Sequence, residues 1–323
     1  MTADYAAQLP LLLRQTLRSA WDFQTDGVRL RITHRAHGTP FHPPRHAPSW
    51  PGLLDKIEAA FAASGVHRTP PLPLRWGRDT DFTISAIQAL DPYVKDRQPY
   101  VYREGYLPQP VVRFTGKRDA TGTLEDGFLT AFVNISHIQR IGSIDQHAEI
   151  LDGWISVLSR LGLHARHLTI TGRMEPWGRG PVEGITLHID HADLAIGDIV
   201  LIWNAADPAC LVTDLGSGLE RLRWAITRRN WRQLVHGPLA GAGLRELDAI
   251  RTATLILGSD IRPGSRGCGN AVRQLLRSTS ATASALGVSR VVRQAHQYWS
   301  LVTPMLMPWH EITKQIEMEL ARS

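Results

Sequence analysis

The stretch Val212–Ile226, VTDLGSGLERLRWAI, constrains this chain more than any other. Ahead of it lie an apolar run, Ile199–Trp203, and a turn-like insert at Asp207 and Pro208. Two glycines follow, Gly216 and Gly218, then the pair Glu220–Arg221 and a helical spacing of Leu219, Leu222 and Ile226. That order predicts a strand passing through a glycine hinge into a helix. Glycines at such a hinge let a ligand approach the backbone closely. Arg221, in the first helical turn, adds a fixed cation where helix N–H groups already favour an anion. An ordinary strand–helix turn with a surface arginine satisfies the same pattern.

A chain of 323 residues can bury a substantial core and suits one large domain with a smaller one. Its 43% hydrophobic and 20% charged residues are those of a soluble globular protein. A net charge of +6 and an isoelectric point near 9.7 point to an anionic partner such as nucleic acid or a nucleotide. Two cysteines, Cys210 and Cys268, cannot make a metal-binding quartet and do not suggest a secreted disulfide scaffold. No apolar run approaches the roughly 20 residues that span a bilayer, and no signal peptide is evident, so a cytoplasmic location is expected.

Residues 1–50 read as an extension. Leu9–Trp21 has the spacing of a short amphipathic helix, Val28–His34 alternates like a strand, and Gly38–Pro51 is rich in proline and histidine. His34, His37, His42 and His46 fit no compact ligand set, and no metal is expected there. Leu53–Ala63 is helical and closes at Ser64–Gly65. Asp145–Leu163 predicts a longer amphipathic helix ending at Gly162, and helical patterns return over Leu286–Trp299 and Ile312–Leu320. His188 and His191 look like half a metal site and read better as a pair at a strand end.

Several of these pieces, in this order, resemble alanyl-tRNA synthetases, which are class II synthetases. GLER after Asp214, with IVLIWN (199–204) upstream, resembles motif 3 and its lead-in strand, typically EIWN and VDTGMGLER. SGVHRTPPLPLRWGRDTDFTISAIQALDPYV, beginning at Ser64, resembles the motif 1 region, though Ile84–Ile87 replaces the family's Asn-Ala-Gly-Met. QPVVRFTGK (109–117) resembles the start of motif 2, QRCVRAGGK. EPWGRGPVEGITLHID (175–190) is a shortened form of FWxMGxTGPCGPCSEIHYD. The segment 246–278 resembles the helices that follow the catalytic core; Asp248, Arg251, Pro263, Gly269, Arg273 and Arg277 match, while Ser265 and Cys268 depart.

The resemblance implies roles. Arg113 takes the place of the arginine that holds the α-phosphate of ATP or an aminoacyl-adenylate, and a planar guanidinium fork suits that task. Lys117 and Phe132 match further motif 2 positions. Asp214 would hold the amino acid's ammonium, Gly216 and Gly218 would floor its pocket, and Trp177 and Asn204 would line it. Arg221 would meet a phosphate or terminal nucleotide, and Arg273 and Arg277 the acceptor end of tRNA. One departure matters most. The family's Arg-His-His cluster, which holds the outer phosphates of ATP, is replaced by Phe128, Leu129 and Thr130, and the glutamate near adenine by Asn134. Losing those cations should weaken ATP chemistry, although Arg118 and Arg140 could compensate.

The fold expected is therefore α+β, a class II synthetase-like antiparallel sheet flanked by helices and followed by a small helical domain. Its divisions would be 1–50 as extension, 51–235 as catalytic domain and 236–323 as a helical, tRNA-recognition-like domain, with no editing domain. The first functional reading is an aminoacyltransferase that places alanine on a small adenosine-like acceptor, a nucleoside sulfamate or phosphate, in natural-product biosynthesis, drawing on alanyl-tRNA. The second is a minimal alanine-activating ligase using ATP and Mg to charge tRNA or a carrier. The third is a non-catalytic tRNA-binding paralogue. No cofactor is required by the first reading, no membrane by any, and motif 1 leaves room for a homodimer.

Overall fold

The computed structural model describes residues 4–241, 243–277, 279 and 287–322. Leu286, at the start of one expected helix, lies outside the described residues. The chain forms two compact units. The first comprises residues 1–70, 86–107 and 135–228, and the second residues 71–85, 108–134 and 229–323.

The first unit is built on β-strands whose side chains alternate. Its strands are β1 (Trp21–Thr25), β2 (Arg29–His34), β5 (Leu168–Arg173), β6 (Trp177–Arg179), β7 (Val182–His191), β8 (Leu194–Asn204) and β9 (Leu211–Gly218). β3 (Gly105–Val112) and β4 (Ala131–Ile141) contribute residues 105–107 and 135–141. Strand order is β1-β2-β5-β7-β8-β9-β4-β3, with β6 paired to β7 beside that path. The pairings from β1 through β9 in this order are antiparallel. The extension thus supplies two strands of the sheet, because Arg29–Thr33 pairs with Thr169–Arg173.

One face of this sheet is apolar. Ile32, Ile170, Ile189, Leu187, Ile199, Leu201 and Leu215 are all fully buried, and the register carries them on one side from β2 to β9. Helix α4 (Ile144–Arg160) covers that side: His147 Nδ1 lies 3.0 Å from Thr213 Oγ1, and Thr213 pairs with Leu201. Against α4 pack α1 (Tyr5–Leu17) and α2 (Trp50–Ala62), whose Phe61 stacks on Trp154 with centroids 5.7 Å apart. Both helices start on side-chain caps, Asp4 to the Ala7 amide and Ser49 to the Gly52 amide. β9 runs directly into α5 (Leu219–Thr227), and a short helix, α3 (Asp91–Val94), precedes β3.

The second unit is helical at its centre: α6 (Trp231–His236), α7 (Leu244–Gly258), α8 (Gly267–Arg277), α9 (Val288–Trp299) and α10 (Trp309–Leu320). Every residue from Leu247 to Gly258 is buried, so α7 is its core helix. Buried charge on α7 is satisfied locally. Asp248 accepts from the Thr130 amide (3.0 Å) and hydroxyl (2.6 Å). Arg251 donates to the Ala131 carbonyl and lies 4.3 Å from the centre of the Trp299 ring. Among the described residues no helix is long and apolar enough to cross a membrane.

Candidate functional site

The side of the sheet opposite α4 is polar and partly open, and alternate residues of β9 face it. Successive strand residues point to opposite faces, so Asp214, Gly216 and Gly218 share one face while Thr213, Leu215 and Ser217 face the other way. Two residues rise about 6.7 Å along a strand, which puts the Asp214 and Gly218 backbones about 13 Å apart. Asp214, Gly216 and Gly218 are half-buried, whereas Leu215 and Ser217 are buried. Gly218 is the N-cap of α5, and a Cβ built on it would lie 3.7 Å from Cβ and Cγ of Arg221. The stem of Arg221 therefore lies along Gly218.

Register names the neighbours. On β8, Val200 is opposite Asp214 and Asp198 is opposite Gly216. On β7, Thr186 is opposite Val200 and His188 is opposite Asp198, and on β5 Thr171 is opposite His188. One cross-strand row thus reads Gly216, Asp198, His188, Thr171, and the next begins Asp214, Val200, Thr186. Neighbouring strands lie about 4.8 Å apart, so each row is a short step from one chemistry to the next. His188 is exposed, and Asp190 is half-buried beside it. Burial holds the Asp190 carboxyl above its usual range, against the opposing pull of His188 and Arg31.

Two glycines let the strands carry this face. A Cβ at Gly197 would fall on the Gly216 carbonyl oxygen, so only glycine permits β8 and β9 to approach there. A Cβ at Gly184 would lie 2.5 Å from Cζ2 of Trp177. The indole therefore lies over Gly184 and donates from Nε1 to Thr186 Oγ1 at 3.0 Å. Trp177 is 36% exposed, and Gly184 beneath it lies two strands and one row from Asp214, since Gly184 is opposite Ile202 and Ile202 opposite Val212.

The residues expected to bind a substrate divide between the two units. Asp214, Gly216, Gly218 and Arg221 belong to β9 and the start of α5 in the first unit, and Trp177 stands on β6 of the same sheet, with β7 and β8 between. Asn204 belongs to the same unit but does another job at the end of β8. Its Nδ2 donates to the carbonyls of Val94 (2.9 Å) and Lys95 (3.2 Å), and its Oδ1 accepts from the amides of Ala206 and Asp207. Both protons and both lone pairs are occupied, so its amide closes the 204–207 turn and ties α3 to β8. The polar residue of β8 that shares the Gly216 row is Asp198.

Within the second unit, Arg113 and Phe132 meet: the guanidinium lies 5.2 Å from the ring centre, and Nε donates to the Ile84 carbonyl at 2.5 Å. Lys117 is exposed in the hairpin that follows β3. Arg273 faces Glu319 at 3.4 Å, while Arg277 is exposed on α8. Of Phe128, Leu129 and Thr130, the last two are buried, and the Thr130 hydroxyl donates to Asp248. Those two positions serve packing.

Histidines elsewhere in the first unit are spread over separate contacts. His37 Nε2 lies 3.1 Å from Thr169 Oγ1, and His34 edges the Trp21 ring. His191 is buried at the end of β7, where Arg228 reaches its Nδ1 and its carbonyl; burial first, and Arg228 next, lower its pKa to about 4. Among the described residues no group of three or more His, Cys, Asp or Glu could hold a metal ion. No family model and no curated protein matches the chain.

Proposed function

We propose that this chain is an aminoacyltransferase of the alanyl-tRNA synthetase type, which moves alanine from alanyl-tRNA to a small adenosine-like acceptor bearing a sulfamate or phosphate. The reading makes the sheet a class II synthetase-like sheet. The observation that carries it is the single-face alignment of Asp214, Gly216 and Gly218 with Arg221 laid along the last glycine. A carboxylate suits the alanyl ammonium, a glycine floor suits a small amino acid lying against backbone, and a guanidinium suits an anionic neighbour. Val200 beside Asp214 offers apolar surface to a methyl side chain.

The chemistry asks little more of the protein. The acceptor's sulfamate nitrogen or phosphate oxygen attacks the alanyl ester carbonyl, a tetrahedral intermediate forms, and the bond to the tRNA ribose oxygen breaks. That oxygen takes up the proton that a sulfamate nitrogen gives up. A phosphate oxygen attacks as an anion, and the ribose oxygen is then protonated from solvent. Positioning and charge stabilisation drive such a transfer, and no nucleophilic side chain is required. The packing roles of Leu129 and Thr130 speak for transfer without ATP, since they take two positions where a triphosphate would need cations.

The test mixes the protein with preformed alanyl-tRNA and 5′-sulfamoyl adenosine, without ATP, and follows alanylated nucleoside by mass. Product is expected, while alanine-dependent ATP–pyrophosphate exchange stays weak or absent. Arg221→Ala should reduce transfer, because it removes the guanidinium whose stem lies along Gly218. Product only with ATP and free alanine would make the chain an ordinary activating enzyme. Binding of tRNA with no product under either condition would leave a regulator.

A further inference from the structure

The second unit has a cavity of its own, about 280 Å³, walled by the hairpin after β3, the first turns of α7 and the outer side of α8. The hairpin is firmly made. Arg118 and Leu124 form a bridge, the Asp119 amide donates to Thr123 O, and the Gly122 amide donates to Asp119 O. The Asp119 carboxylate is spent inside the turn, accepting from the amides of Thr121 (2.9 Å) and Thr123 (3.0 Å). Gly122 closes it with a φ of +80°, a left-handed conformation that glycine adopts without penalty.

Two guanidinium groups converge on that glycine. Arg118 Nη1 donates to the Gly122 carbonyl at 2.8 Å, and its Nη2 reaches Thr130 Oγ1 at 3.4 Å, so the side chain is held in place. Arg245 brings Nη1 to 3.9 Å from where a Cβ on Gly122 would be. Among the described residues Arg245 has no ion pair. The nearby acids are otherwise engaged: Asp248 is enclosed by Thr130, and the Glu246 carboxylate folds back over Gly243. Two like charges brought to one point repel, and an anion between them replaces repulsion with two charge-assisted contacts. The rest of the wall is of another kind. Phe114 is 48% exposed, tilted against Phe82, and Ala249 and Leu275 add apolar surface beside the Gln274 amide.

We infer that this cavity binds a nucleoside monophosphate, with the phosphate between Arg118 and Arg245 and the base against Phe114. An aromatic face accepts any base, and Gln274 offers a donor and an acceptor to a base edge. The volume, just below the ~300–1,000 Å³ range of drug-sized sites, sets the ligand at one nucleotide. The same chemistry could reach the cavity as a free nucleotide or as the end of an RNA strand, and we assign the free nucleotide. This site does not depend on the transferase reading.

Calorimetric titration of the whole chain with AMP tests it, with inorganic phosphate and adenosine as fragments and a short single-stranded RNA as the other source. AMP should bind more tightly than either fragment and more tightly than the RNA. Arg245→Ala should weaken AMP binding ~10–100-fold, and Phe114→Ala ~5–100-fold. Both side chains are exposed, and an unchanged melting curve checks that each variant is folded. AMP also belongs to the acceptor class of the transferase reading, so the titrations are repeated in the Arg221→Ala background, which removes a cation from the sheet, and the Arg245-dependent binding should persist there. The inference is overturned if AMP does not bind, if Arg245→Ala binds it like the parent, or if RNA binds and AMP does not. Loss of AMP binding in Arg221→Ala alone would move the nucleotide to the sheet, overturning the cavity while supporting the transferase site.

Discussion

The two faces of the first unit's sheet use the same strands for opposite ends. Along β8 and β9 one side presents Ile199, Leu201 and Leu215, fully buried, and the other presents Asp198, Val200, Asp214 and Gly216, half-buried. Alternation along the strand separates the two sets over these residues, while further along Ile202 and Val212, which share the second side, are buried as well. Substitutions on the open side can therefore change what the sheet binds while the covered side keeps it folded. Gly197 is where the two demands meet, because the strand spacing that supports the covered face also brings the Gly216 backbone close.

The largest effect expected is on the covered side. Trp154 of α4 is 2% exposed and stacks on Phe61, so Trp154→Ala should cost about 3–5 kcal/mol of unfolding free energy in denaturant titration. The matching change across the sheet, Val200→Ala, should cost no more than about 1 kcal/mol. Similar losses from the two would break the comparison.

Acid should attack the covered side next. His147 is fully buried under the sheet, and burial pushes its pKa down to about 3; His137, edging Phe61, is pushed down to about 4. Both hold fewer protons folded than unfolded, where a histidine titrates near 6.5. Their contribution is complete above that value and is lost as pH falls from about 6.5 towards 4 and then 3, by about 1.4 kcal/mol per pH unit for each. His147→Gln should flatten the fall in melting temperature between pH 6.5 and 4. An unchanged slope would place the acid sensitivity elsewhere, His236 of the second unit being the next candidate with a pKa of about 3.

On the open side the expected effect is on activity. Asp214→Asn should lower alanyl transfer by ~100-fold, about 2.7 kcal/mol, because it removes the charge assigned to the ammonium, and should leave melting unchanged. Asp198→Asn sharpens the point. Asp198 shares the Gly216 row, so a comparable loss there would mean that the ammonium is held between two carboxylates.

Much of this arrangement was legible in the chain. The strand–glycine–helix order of Val212–Ile226 is the observed β9 and α5, and the helix expected over Asp145–Leu163 is α4. What the sequence withheld was side-chain parity. Ile199–Trp203 is apolar at every position, so nothing in it distinguishes the face of Leu201 from that of Val200. Asn204 has the parity of Asp198 but stands six residues along β8, where the backbone of the 204–207 turn and of Val94 and Lys95 takes up its amide, and it is Asp198 that stands opposite Gly216. The pairing of β2 with β5 was hidden for another reason, since some 140 residues separate the partners and alternation alone names no partner.

The smallest effect belongs to Trp177. Its ring lies over Gly184 and its one polar contact is the donation to Thr186, with about a third of the side chain in solvent. Trp177→Phe keeps an aromatic wall and frees a hydroxyl that water can reach, so it should cost at most about 1 kcal/mol of stability. Trp177→Ala is the informative partner, because it uncovers Thr186, which stands two strands from Asp214 in the same row. The room gained should lessen the preference for alanine over a larger amino acid such as serine or valine, a discrimination worth about 1–3 kcal/mol per methylene. Competition between alanyl-tRNA and valyl-tRNA for 5′-sulfamoyl adenosine measures it. If Trp177→Ala leaves that ratio where Trp177→Phe leaves it, the tryptophan serves only to cover Gly184, and Val200 alone sets the size of the pocket.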